Sequence, residues 1–267
     1  MKLLVISDTH LGHQGWGSFG LDVFDRAMEM ARSNTVDVVL HCGDLVEPSN
    51  KEMTLMFGMH KLTSIPAKRH LWVAGNNDIE MVRGRCHMQK YYKFLNDHIA
   101  NPYGVWLLDH ESCIIDGVGF AGNFGSYDTS LWRTPAVHTD KFPMDRVSME
   151  RNVREGFQKE TFTDMDSFFQ SCQMRLRMQL NHLTSAKVRK VVAVTHTVPT
   201  GDMLLYGKTP AYDFQNAWMG WDDSKSPQPI AQTPNLAYHF CGHVHRPYQF
   251  GNVINVSGPN QPLLFDI

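Results

Sequence analysis

Five short segments of this sequence carry side chains suited to binding divalent metals. They are Asp8-Thr9-His10, Gly43-Asp44-Leu45-Val46-Glu47, Gly75-Asn76-Asn77-Asp78, Thr195-His196 and Gly242-His243-Val244-His245. Imidazoles mixed with carboxylates suit borderline ions such as Mn, Fe, Co, Ni or Zn, and not Ca. An Asp-x-His or His-x-His pair in a loop can direct two side chains at one region. The neighbouring glycines allow the tight backbone turns that such crowding needs.

The elements that must position these residues can be read from the pattern around them. Leu3 to Ser7, Val36 to Cys42 and Arg69 to Ala74 are short apolar runs that predict strands. Asp22 to Arg32 and Lys51 to Leu62 predict helices between them. Such alternation signals a mainly parallel sheet covered by helices. In open α/β sheets ligands sit beyond the carboxyl ends of strands, and each of these three strands ends at a metal-type segment. Asp116-Gly117, flanked by Cys113 to Ile115 and Val118 to Ala121, predicts a hairpin. Asp164 to Ser185 has helical periodicity, and Val191 to Val194 is a strand leading to Thr195-His196. Leu236 to Phe240, Val253 to Val256 and Leu263 to Phe265 are closing strands. Two stretches break the pattern: 126–162 is polar and charged, and 201–234 is rich in Gly, Pro and aromatics. Both are expected to be insertions in a single domain spanning 1–267.

Composition narrows the function classes. With 42% hydrophobic and 19% charged residues over 267 positions, the chain can bury a substantial core. The formal net charge of -2 weighs against nucleic acid or an anionic membrane as partner. No apolar run approaches the ~20 residues of a membrane span, and no signal peptide is evident. Five cysteines, widely spaced and without CxxC, suggest reduced thiols and a cytoplasmic setting.

Taken in order, DxH, GDxxE, a GN turn, a lone His and GHxH resemble the calcineurin-like metallophosphoesterase superfamily. The resemblance runs from residue 3 to about 257 and is loose over 126–162 and 201–234. It implies a four-layer α/β/β/α sandwich. It also implies two divalent metals, the first held by Asp8, His10 and His245 and the second by Asn76, His196 and His243, with Asp44 bridging. A hydroxide bridging the pair would attack the phosphate ester in line, so no protein nucleophile is needed. The absence of a GxSxG or catalytic-cysteine signature agrees with that.

One position departs from the family pattern. The third turn often reads GNHD, whereas here Asn77 stands where the His would be. An amide can donate a hydrogen bond to a phosphoryl oxygen but cannot surrender a proton at neutral pH. The expected substrate is therefore a small-molecule or nucleotide phosphate ester, with a diester slightly favoured. A phosphomonoesterase, protein phosphatase or nuclease is the alternative, and an inactive interaction scaffold the non-enzymatic one. A scaffold is expected to lose ligands, yet all seven positions hold ligating residues. His13 could supply the missing proton, although a surface loop position is the plainer reading. Tyr127, Asp128 and Arg133 either contact substrate or form cap surface. His41 and His239 are expected to be strand residues, Cys42 and Cys241 small buried hydrophobes, and Trp218, Met219 and Trp221 packing residues. Glu47 and Asp78 should fix their turns by hydrogen bonds.

Overall fold

The fold was analysed in a computed structural model that describes residues 1–13, 15, 19–48, 51–87, 90–132, 136–139, 142–145, 155, 164–206 and 215–267. In chain order the strands are β1 (Lys2–Ile6), β2 (Val38–His41), β3 (Arg69–Trp72), β4 (Val105–Leu107), β5 (Cys113–Ile115), β6 (Val118–Asn123), β7 (Ala136–Thr139), β8 (Phe142–Asp145), β9 (Lys190–Thr195), β10 (Leu236–Cys241), β11 (Tyr248–Phe250), β12 (Val253–Asn255) and β13 (Leu263–Asp266). The helices are α1 (Phe19–Ser33), α2 (Lys51–Ser64), α3 (Asn76–Met81), α4 (Tyr91–Leu95) and α5 (Met165–Ser185).

Two sheets form the centre. One has the order β13-β1-β2-β3-β4, and the other β11-β12-β10-β9-β6-β5. In the first, β1 to β4 run parallel and only β13 is reversed. In the second, β12, β10, β9 and β6 run parallel, with antiparallel strands at both edges. Side chains alternate between the faces of a strand, and β1 shows the consequence. Leu3 and Val5 join Phe120, Val192, Val194 and Phe240 in a core between the sheets. Leu4 and Ile6 face the other way, against Val23, Phe24 and Ala27 of α1 and Leu55, Met59 and Leu62 of α2. On the far side, Ala121, Val191 and Ala193 pack against Leu176, Leu180 and Leu183 of α5. The result is the expected α/β/β/α sandwich.

The Asp116-Gly117 hairpin forms between β5 and β6, with both turn residues at positive φ. The short edge strands β4 and β11 are not evident from pattern, because three residues give too little periodicity to register. The 126–162 stretch, expected as an insertion, holds the antiparallel β7–β8 pair. Arg133 lies outside the described residues. Among the described residues, no helix is long and apolar enough to cross a membrane.

One buried carboxylate joins the ends of the two sheets on the side where the metal-type segments gather. Asp109 Oδ2 accepts from Ala74 N–H at 2.8 Å, and Oδ1 accepts from Phe124 N–H at 2.9 Å and from the Tyr91 hydroxyl. Ala74 follows β3 and Phe124 follows β6, so Asp109 bridges the sheets. Nothing in the sequence marks this residue. Each buried donor left without an acceptor costs about 1–3 kcal/mol. Asp109→Ala should therefore lower stability by about 3 kcal/mol or more, read by urea denaturation. A loss below about 1 kcal/mol would show that the bridge is dispensable.

Candidate metal centre

Each metal-type segment lies just past the carboxyl end of a strand. Asp8 and His10 follow β1, Asp44 follows β2, Asn76 and Asn77 follow β3, His196 follows β9, and His243 and His245 follow β10. Convergence there requires sharp turns. Asp8, His10, Asp44, His243 and His245 all have positive φ, between 41 and 72°. Left-handed backbone in non-glycine residues is uncommon and gathers at functional sites. Two motif glycines are needed for space. A Cβ on Gly75 would sit 2.1 Å from Asp44 Oδ1, and one on Gly242 would sit 2.3 Å from Asp8 Oδ2.

The side chains form two triads, Asp8 with His10 and His245, and Asp44 with His196 and His243, each with its ligand atoms within 4.8 Å of one another. In the first, His10 Nε2 lies 3.0 Å from His245 Nε2, and His245 Nε2 lies 3.2 Å from Asp8 Oδ1. In the second, His243 Nδ1 lies 3.1 Å from His196 Nε2, and Asn76 Oδ1 is also 3.1 Å from that nitrogen. Asp44 Oδ2 stands between them, 3.4 Å from His196 Nε2 and 3.7 Å from His10 Nε2. All seven residues proposed from sequence as ligands are thus brought together.

Groups behind the triads set the imidazole orientations. His196 Nδ1 faces the Cys42 carbonyl at 2.9 Å, and His243 Nε2 faces the Trp218 carbonyl at 2.9 Å. Each ring therefore carries its proton outward and turns a lone pair inward, the usual arrangement behind metal-bound histidine. Glu47 Oε2 lies 3.2 Å from His10 Nδ1 and has the same effect there. The Asn77 amide nitrogen is 2.9 Å from His10 Nδ1 and 3.2 Å from Glu47 Oε2, and the Asn77 backbone N–H donates to Asp44 Oδ1 at 2.9 Å. Asp78 accepts from the N–H groups of Leu45, Val46 and Gly75 and so clamps the second turn to the third. His41 accepts from Gly43 N–H at Nδ1 and meets Thr9 Oγ1 through Nε2, tying the first turn to the second. The His13 ring lies 6.4 Å from that of His10, centroid to centroid. Tyr127 packs edge-on against Trp218 at 5.4 Å, and Asp128 accepts from Ser130 N–H in its own loop.

Sequence reasoning missed Ser7, whose hydroxyl donates to Asp8 Oδ2, and the role of the Trp218 carbonyl. Ser7 could have been suspected from its place beside Asp8. A backbone carbonyl leaves no trace in the residue type.

The electrostatics call for cations. Burial alone would raise Asp8, but its contacts with His10 and His245 hold it well below the ordinary carboxylate range. Burial favours neutral His196, yet the Asp44 carboxylate overcomes this and pushes it up to about 9. Burial and the neighbouring His196 push His243 down to about 4. Without metal, a proton on His196 supplies the positive charge that the carboxylates demand. Lone pairs converging on two points, beside buried carboxylates, are the donor set of two divalent ions.

A family model described as calcineurin-like phosphoesterase matches residues 1–247. The chain belongs to that family. It is accordingly a metal-dependent phosphoesterase, a hydrolase. Its fold is shared with solved structures. Phosphopantetheinyl hydrolase from Mycobacterium tuberculosis is 20% identical, with a TM-score of 0.67 over 96% of this chain and 88% of that one. The protein TT1561 of Thermus thermophilus is 12% identical, with a TM-score of 0.52 over 96% of this chain and 89% of that one. No curated protein matches the sequence significantly.

The raised His196 makes a prediction about the metal-free phosphoesterase. A group whose pKa rises on folding stabilises the fold fully below its unfolded value and stops doing so above its folded value. For His196 that window runs from 6.5 to about 9. In the presence of EDTA, stability should fall as pH rises through this window, and His196→Gln should remove much of the fall. A flat profile in the parent protein would contradict the Asp44–His196 coupling.

Proposed function

We propose that this phosphoesterase cleaves phosphodiesters of small molecules or nucleotides at a centre of two divalent cations. The observation that carries the reading is the position of Asp44, one carboxylate oxygen of which faces both triads. Asp8, His10 and His245 would hold the first cation, Asn76, His196 and His243 the second, and Asp44 would bridge. Such cations, when bound, supply an activated water and neutralise charge on the phosphoryl oxygens. The ligand set suits Mn, Fe, Ni, Co or Zn.

The chain's own residues shape the rest. Asn77 has no proton to give at neutral pH, and its amide nitrogen donates to Glu47 Oε2. We propose that His13, on the neighbouring loop, replaces the missing acid only in part. Its Nδ1 accepts from Gly15 N–H at 3.0 Å, and that bond must open for the ring to carry the second proton an acid needs. A cavity of about 300 Å³, bordered by Asp8, His245, Phe19, Gly258 and Pro259, offers room for the organic group of an ester beside the first triad. Packing of Tyr127 on Trp218 links the stretches 126–162 and 201–234, which supports reading both as insertions in one metallophosphoesterase domain. All five cysteines are free thiols, four of them buried, and this supports a cytoplasmic setting.

Two experiments test the proposal. Asp44→Ala should abolish hydrolysis of bis(p-nitrophenyl) phosphate and lower bound metal, measured by mass spectrometry. Glu47→Gln, which touches the back of His10 and the Asn77 amide, should cost about 10–100-fold. Equal metal retention in both variants would contradict a bridging Asp44.

The second experiment concerns leaving groups. General acid catalysis contributes ~10²–10⁴-fold, most where the departing oxygen is basic. With no acid at Asn77, rates on a series of aryl and alkyl phosphodiesters should depend steeply on leaving-group pKa. Asn77→His should flatten the dependence and help alkyl esters most, while His13→Ala should steepen it. A flat parent profile with chemistry rate-limiting would remove the physical basis for preferring diesters.

A further inference from the structure

His41 and His239 occupy matching places in the two sheets. Each lies near the carboxyl end of a parallel strand, each is almost fully buried, and each presents Nε2 to a threonine hydroxyl. They differ at the other nitrogen. His41 Nδ1 accepts from Gly43 N–H, so both of its nitrogens are used. His239 Nδ1 has no hydrogen-bond partner among the described residues, and the residue as a whole is 2% exposed.

The tautomer of His239 follows from its neighbour. Thr195 donates its single hydroxyl proton to the Thr197 carbonyl at 2.9 Å. Its oxygen can then only accept from His239 Nε2, 2.9 Å away. Burial pushes His239 down to about 3, so the ring is neutral and carries one proton. That proton is on Nε2, and Nδ1 is a bare acceptor.

His239 borders a cavity of about 440 Å³ that includes none of the seven ligand positions. Leu236, Val253 and Phe250 supply apolar wall. Phe250 is 52% exposed, a large aromatic otherwise left to solvent. Three carboxylates border the space and no lysine or arginine does. Asp223 is paired with Arg177 and Asp222 with Lys225. Asp202 has no ionic partner among the described residues and accepts from Thr200, through its hydroxyl to Oδ2 at 2.8 Å.

We propose that this cavity is a second binding site, distinct from the paired triads, for a small organic cation with an apolar body and a further hydrogen-bond donor. The positive charge is met by Asp202, the donor by His239 Nδ1, and the body by Phe250, Leu236 and Val253. A cavity of this size, mostly apolar with a few placed polar groups, is typical of small-molecule sites. As an acceptor with no protein partner at the cavity wall, His239 Nδ1 is open to a donor on a ligand.

Tyramine, with an ammonium at one end and a phenol at the other, is the probe. The full chain loaded with zinc is titrated with it while the His239 ring signals are followed by NMR, the ring nitrogen shifts also reporting the tautomer. The expected result is saturable binding that shifts the His239 signals from a ring protonated at Nε2. Phenethylamine, which lacks the phenol, should bind about 2–10-fold more weakly. Uncharged 4-ethylphenol, and tyramine with Asp202→Asn, should each show a loss of about tenfold. Asp202 and Ala231 are exposed, so Asp202→Asn and Ala231→Trp, the latter filling the cavity mouth, should keep the melting temperature. Ala231→Trp should abolish binding. Lack of saturable binding, an unmoved His239 signal, or full affinity in Asp202→Asn would each overturn the assignment. None of these readouts depends on phosphoesterase activity.

Discussion

Seven donor-bearing side chains can meet in one place only if the chain turns sharply as it leaves its strands. Five of them sit in left-handed backbone, at a cost on the order of 1–3 kcal/mol each. The surrounding structure has to over-determine these turns for them to persist. It does so with buried hydrogen bonds that run between turns and not along them. His41 joins the first turn to the second, Asp78 the second to the third, and Asp109 joins the two sheets. The parallel strands beneath supply the rigid frame. Both faces of each sheet are packed, so a strand end cannot shift without disturbing two layers of core.

The same crowding sets the electrostatics. Two buried carboxylates and four imidazoles meet where water is largely excluded. Burial raises the energy of every charge, and only pairing of opposite charges lowers it. The balance falls differently on each imidazole: Asp44 makes His196 basic, while His196 in turn suppresses His243. Outward hydrogen bonds to the Cys42 and Trp218 carbonyls decide which nitrogen of each ring faces inward. Backbone carbonyls thus help to set how the imidazoles are presented at the centre.

Asn77 illustrates how one substitution redistributes roles. Its backbone N–H holds the bridging Asp44, while its side chain lies against Glu47 and His10. The position contributes to the architecture of the centre whether or not it touches substrate. Asn77 itself has no proton to give to a basic leaving group at neutral pH.

Sequence by itself picked out the metal-type side chains and the strands that carry them. Residue type limits metal chemistry, and short apolar runs ending at Asp8, Asp44, Asn76, His196 and His243 place that chemistry at strand ends. It also marked the Asp116-Gly117 hairpin, because only certain residues accept its dihedral angles. Tertiary structure alone decided what lies behind those ligands. Asp109 and the Trp218 carbonyl act through partners distant in the chain or through backbone atoms that every residue shares. The contrast between His41 and His239 is of the same kind. Both are strand histidines before a glycine turn, and sequence pattern treats them alike. One has a backbone N–H over its second nitrogen and the other borders a cavity. Packing between segments far apart in the chain sets that difference, and local pattern carries no record of it.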